Sequence, residues 1–97
     1  MAIIVTIDMP GVGQEAYDAC VQRLTGGGEF TAVDDIPAHG LISHAAGPVD
    51  GGWRVVDVWE SEDALENFAK ILQPILADLG LGDAEPQVIP AHNVVTS

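Results

Sequence analysis

A turn cluster in the middle of the chain, Gly47-Pro48-Val49-Asp50-Gly51-Gly52, separates two runs of strand-forming residues, Leu41 to Ala46 and Trp53 to Glu60. Two such runs joined by so short a break have little choice but to fold back as an antiparallel hairpin. Ahead of the hairpin, Ala2 to Ile7 is rich in β-branched residues and ends at Asp8-Met9-Pro10, which predicts a first strand. Gln14 to Thr25 carries Ala16, Tyr17, Cys20, Val21 and Leu24 at helical spacing, with Gly26 as its stop. Glu29 to Gly40 reads as irregular.

After the hairpin, Ser61 is suited to cap a helix, and Glu62 and Asp63 fall in the first turn, where the helix dipole favours acids. Leu65, Phe68, Leu72, Ile75, Leu76 and Leu79 form one apolar stripe up to Gly80. Pro74 is expected to kink or divide that helix, because proline lacks the backbone donor. Gly80, Gly82 and Pro86 mark a further break, and Gln87 to Thr96 is expected as a last strand, with Pro90 at an edge or a bulge.

The order is therefore β-α-β-β-α-β, and residues 1–97 are expected to form one α+β domain. That order suits a ferredoxin-like sandwich, a four-stranded antiparallel sheet with both helices on one face. Ile3, Val5 and Ile7 share a face of the first strand, yet Ile4 on the other face is also apolar, and Val55, Val56 and Val58 likewise occupy both faces of the third. A sheet covered on one side only shows cleaner alternation, so the second face is expected to meet the sheet of a second copy in a homodimer.

Composition removes several functions. Fifteen acidic residues oppose three basic ones, Arg23, Arg54 and Lys70, for a formal charge of −12. So few cations cannot line up on phosphates, so nucleic acid and anionic membrane surfaces are not expected partners. Cys20 is the one cysteine, which excludes an internal disulfide and a cysteine-based zinc site. With no leader pattern and no long apolar run, the expected location is the cytoplasm. Gly11-Val12-Gly13 lacks the third glycine of a dinucleotide fingerprint, and Gly26-Gly27-Gly28 has no following lysine, so neither is read as a phosphate loop. His39, His44 and His92 have no paired metal-ligand spacing, and no metal is expected.

The remaining chemical groups lie on the strands. Trp53, Val55, Asp57 and Trp59 share one face by the two-residue period. Whether His44 joins them depends on register. If paired numbers in the hairpin sum to 99, His44 lies opposite Val55 and diagonal to Asp57; if to 100, it lies opposite Val56 and faces away. An imidazole beside a carboxylate is a usable general base, because the acid fixes the tautomer and supports the cation. Asp57, between Val56 and Val58, needs a partner if buried. The candidate catalytic residues are thus His44, His92 and Asp57, and the candidate ligand contacts are Trp59, Trp53 and Phe68. Each also has a plain structural reading, as a hydrogen-bonded strand residue or a core aromatic.

The stretch from Gly52 through Trp53, Asp57, Trp59, Glu60 and Ser61 to Phe68 resembles the third strand and second helix of the dimeric α/β-barrel superfamily. Within it, the chain is most similar to small proteins of the antibiotic biosynthesis monooxygenase type. Gly40 to His44 and Pro90 to Val94 resemble the matching segments of small members. The resemblance implies two ferredoxin-like protomers packed sheet to sheet, each with a pocket between its own sheet and helices. Members include cofactor-independent monooxygenases that oxidise phenolic tricyclic compounds to quinones, and haem-degrading enzymes. The haem degraders carry a histidine on the second helix, which Glu62 to Gly80 lacks, and an asparagine on the first strand, where this chain has Thr6 and Asp8. The resemblance thus favours a cofactor-free oxygenation of an electron-rich aromatic, with His44 or His92 as base and Trp59 against the substrate. The alternatives are a polyketide cyclase on the same fold and a non-catalytic dimeric protein that binds a small hydrophobic ligand or serves as an accessory subunit.

Overall fold

The computed structural model describes residues 1–81 and 84–96; Gly82, one of the expected break residues, lies outside them. Four strands and two helices follow in the order β1 (Ile3–Pro10), α1 (Gln14–Thr25), β2 (Leu41–Val49), β3 (Gly52–Trp59), α2 (Glu62–Asp78) and β4 (Glu85–Pro90). The strands form one antiparallel sheet in the order β2-β3-β1-β4. This is the expected ferredoxin-like arrangement.

Local signals set the helices. Gly26 ends α1 with φ 72°, a left-handed conformation that glycine adopts without a Cβ penalty. The Ser61 hydroxyl oxygen accepts the Ala64 N–H at 3.1 Å at the start of α2 and so satisfies one of the donors that a helix start leaves open. Pro74 lies within α2 and does not divide it; it stands on the exposed side, where the carbonyl it leaves unbonded can turn to water.

Strand limits differ from expectation where pairing partners decide them. β1 continues past Ile7 to Pro10 because β3 keeps pairing as far as Gly52. β2 runs on to Val49, so the turn shrinks to Asp50-Gly51, and Pro48 is tolerated because β2 is an edge strand. β4 stops at Pro90, which pairs with Ile3, the first residue of β1. Beyond that point Ala91 makes one last bond to the Ala2 carbonyl. His92 therefore follows the strand, rather than standing within it, and is exposed.

One face of the sheet carries the core. Ile3, Val5, Leu41 and Trp59 pack with Ile36 and Phe68, while Met9, Trp53 and Val55 form a second cluster. On the opposite face Ile4 stands between Val58 on β3 and Ile89 on β4. All three keep solvent contact, and Ile89 is 56% exposed. At the other end of that face Arg54 grips Asp8 through two nitrogens, at 2.6 and 3.2 Å. No helix in the described residues is long and apolar enough to cross a membrane.

Candidate functional site

The hairpin register differs from both uniform alternatives. Leu41 pairs with Trp59, but Ser43 pairs with Val58 and His44 with Asp57. A bulge between Leu41 and Ser43 takes up one extra residue. Leu41 and His44 are three apart and would point to opposite faces of a regular strand; the bulge turns both inward. His44 thus lies directly across from Asp57, on the helix side.

There His44 Nδ1 meets Asp57 Oδ1 at 2.6 Å, and His44 Nε2 meets the Tyr17 hydroxyl at 2.6 Å. A carboxylate can only accept, so Nδ1 donates to Asp57, and Nε2 is left to accept the Tyr17 proton. The three side chains form one line of donated protons from α1 through β2 to β3. Asp57 is buried, with its side chain 8% exposed, and His44 is 19% exposed. The Phe30 ring lies 4.6 Å from the imidazole, and Tyr17 also packs against Trp53 at 5.3 Å. Burial, together with the Asp57 charge, raises the Tyr17 phenol above its usual range, so it stays protonated.

These groups form the polar part of an otherwise apolar cavity between the sheet and the helices. Ile7, Val55 and Leu41 supply the floor from the sheet; Cys20, Leu24, Phe68 and Leu72 face them from the helices. About 70 Å³ of it is open to water-sized molecules, less than the roughly 300 Å³ of a small-ligand pocket. A ring-sized ligand therefore needs α1 or the Phe30 segment to move outward. Burial raises the Cys20 thiol too, which leaves it a weak nucleophile.

The residues singled out in the sequence divide. His44 and Asp57 come together on the cavity wall, with Phe68 beside them. Trp59 is fully buried, 5.0 Å from Phe68, and Trp53 lies beneath Tyr17; neither tryptophan lines the cavity. Both indole N–H groups are buried, with no acceptor among the described residues. His92 and His39 are exposed and away from this wall. Tyr17 was not among the candidates, because its place in the apolar stripe of α1 reads as packing. The available signal was its hydroxyl, the one phenol of the chain, on a helix face otherwise made of aliphatic residues and Cys20. Among the described residues no three His, Cys, Asp or Glu side chains converge to hold a metal ion.

No protein-family model matches the chain, and no curated protein matches it. Solved structures do. SnoaB, a cofactor-independent oxygenase from Streptomyces nogalater, superposes with a TM-score of 0.60 at 12% identity, covering 99% of this chain and 97% of that one. A provisional antibiotic biosynthesis monooxygenase from Deinococcus radiodurans gives 0.59 at 13% identity, covering 100% and 98%. The ActVA-Orf6 monooxygenase of Streptomyces coelicolor, in complex with nanaomycin D, gives 0.52 at 21% identity, covering 99% and 93%. The chain therefore has the ferredoxin-like α+β fold that these antibiotic biosynthesis monooxygenase-like structures share.

Proposed function

We propose that the protein is a cofactor-independent monooxygenase that oxidises an electron-rich aromatic compound in the cavity between sheet and helices. The observation that carries this reading is the Tyr17–His44–Asp57 line of hydrogen bonds on the wall of an apolar cavity. Chemistry of this kind needs a base, an oriented ring and little water.

Tyr17 is the one member of the line that borders both the cavity and the hollow beside it, and it is the group assigned to meet the substrate. Its oxygen takes the acidic proton of the substrate as its own proton passes to His44 Nε2. No free tyrosinate forms, which suits a phenol whose ionisation burial opposes. The imidazolium so produced lies against the Asp57 carboxylate, and a buried ion pair with a short hydrogen bond holds it. The substrate anion then gives one electron to O2, and the radical pair recombines at carbon. For an anthrone, two hydrogens leave the ring carbon, one oxygen atom becomes the new carbonyl and the other departs as water. The substrate supplies all the electrons, so the reaction needs no cofactor.

We infer further that the protein works as a homodimer. The row Ile4, Val58 and Ile89 on the helix-free face supports it, because a second sheet laid on that row would remove the apolar surface from water.

The test is oxygen uptake by the purified protein with an anthrone, beside Tyr17→Phe, His44→Ala and a protein-free blank. Uptake above the blank that falls about 100-fold or more in both variants is expected, the usual scale of acid–base catalysis. Uptake no greater than the blank, or unaltered in the variants, refutes the reading. Turnover without oxygen consumption would point to a cyclase instead.

A further inference from the structure

The acid–base line uses only one oxygen of Asp57. Among the described residues His44 Nδ1 is the one hydrogen-bond donor to this carboxylate, and it takes Oδ1. Oδ2 is left without a donor on a side chain more than nine-tenths buried, in a cavity whose other walls are almost wholly apolar. Among the described residues the side-chain polar atoms that are both closed to water and without a partner are the two indole nitrogens, so Oδ2 keeps some open surface, and a donor on a ligand can take the place that water has there.

Charge around the cavity narrows the ligand further. Among the described residues no Lys or Arg lines it. Arg23 is held by Asp78 at 2.9 Å and Arg54 by Asp8, both at the surface. The hollow next to the cavity shares Tyr17, Val21 and Phe30 with it, and Asp18 and Glu29 stand there. An anion in the cavity would lie beside Asp57, with two further carboxylates in the adjoining hollow and no lysine or arginine among the described lining residues to receive it.

Resting on the oxygenase reading of this cavity, we infer that the site selects an apolar ring compound that donates a hydrogen bond and carries no negative charge. Asp57 Oδ2 is the receiving atom. Asp57 then has two duties: Oδ1 orients His44, and Oδ2 anchors a ring hydroxyl other than the proton that passes to Tyr17. Carboxylated analogues of the substrate are excluded.

The test is calorimetric titration of the full chain, at neutral pH and without oxygen, with 2-naphthol, 2-methoxynaphthalene and 2-naphthoate. These share a ring system and differ in donor and charge. The expected ranking places 2-naphthol about tenfold or more tighter than 2-methoxynaphthalene, the scale of one hydrogen bond to a charged group. The naphthoate should be weaker than the naphthol by about 100-fold or more, as an uncompensated charge requires. In Asp57→Asn the amide can both donate and accept, so both gaps should shrink. Equal binding of naphthol and its methyl ether, naphthoate within about tenfold of naphthol, or no binding by any of the three overturns the inference. The wild-type ranking decides the matter even if Asp57→Asn fails to fold. Because no oxygen is consumed, this ranking stands or falls apart from the uptake assay: the ranking without uptake would refute the oxygenase alone.

Discussion

Gly40 offers the sharpest test of how the site is positioned. It precedes β2 by one residue, has φ +93°, and its carbonyl accepts the Glu60 N–H at 2.8 Å. A Cβ there would lie 2.7 Å from the Ala64 Cβ and 2.9 Å from the Glu60 Cγ. Two costs follow for Gly40→Ala. Placing a side chain at positive φ costs roughly 1–2 kcal/mol. Crowding adds about 1–3 kcal/mol, because Ala64 belongs to the first turn of α2 and cannot swing aside as the exposed Glu60 can. The total, about 2–5 kcal/mol, is a large share of the roughly 5–15 kcal/mol that holds a domain folded. Urea melts of four proteins separate the two terms: wild type, Gly40→Ala, Ala64→Gly and the double variant. Ala64→Gly removes the obstructing methyl at a helix cost of about 1 kcal/mol. In that background Gly40→Ala should cost only its conformational share, a favourable coupling of about 1–3 kcal/mol. An equal cost in both backgrounds would refute the packing of the β2 start against α2.

Three further outcomes are expected. Ser61→Ala should lower stability by about 1 kcal/mol while Ser61→Asp holds it, and melts showing no loss for the alanine would refute the cap. Tyr17 and Cys20 are both raised by burial, so the fold favours their neutral forms. Stability from that source is complete below the ordinary phenol and thiol values and is lost as pH rises through the raised ones, from about pH 8 upward. Tyr17→Phe and Cys20→Ser should each flatten the alkaline decline in melting temperature, and a slope unchanged in both would contradict their burial. Finally, Val58→Asp should convert the expected dimer to a monomer in sedimentation, and a variant that stays dimeric would move the interface off this face.

The helices were legible because their signals are local. Gly26 and Ser61 act within a turn of where they stand, and the limits of α1 follow from Gln14 to Thr25 alone. Strand ends depend on partners far along the chain, and so β1 gained Asp8 to Pro10 while β4 lost Ala91 to Thr96. His44 and Asp57 could be named as a pair without it being evident that they met. Any uniform register gives one parity to the whole strand, and the bulge changes parity between Leu41 and Ser43. Phe30 escaped notice for a related reason. It lies in a segment without periodicity, and only the folded chain brings it over the imidazole.

The bulge also bears on how such a site changes and how it is found. The direction in which the imidazole faces is fixed by a count of residues, not by the identity of any one of them. Removing Ile42 would leave an even ladder with Leu41 and His44 still inward, whereas a deletion between His44 and the turn would send the histidine outward with every side chain unchanged. Lineages of this fold can thus gain or lose an inward histidine through a one-codon length change. Column-by-column alignment would score that event as a gap, while comparison by the face each residue occupies would register it as the appearance or disappearance of a base.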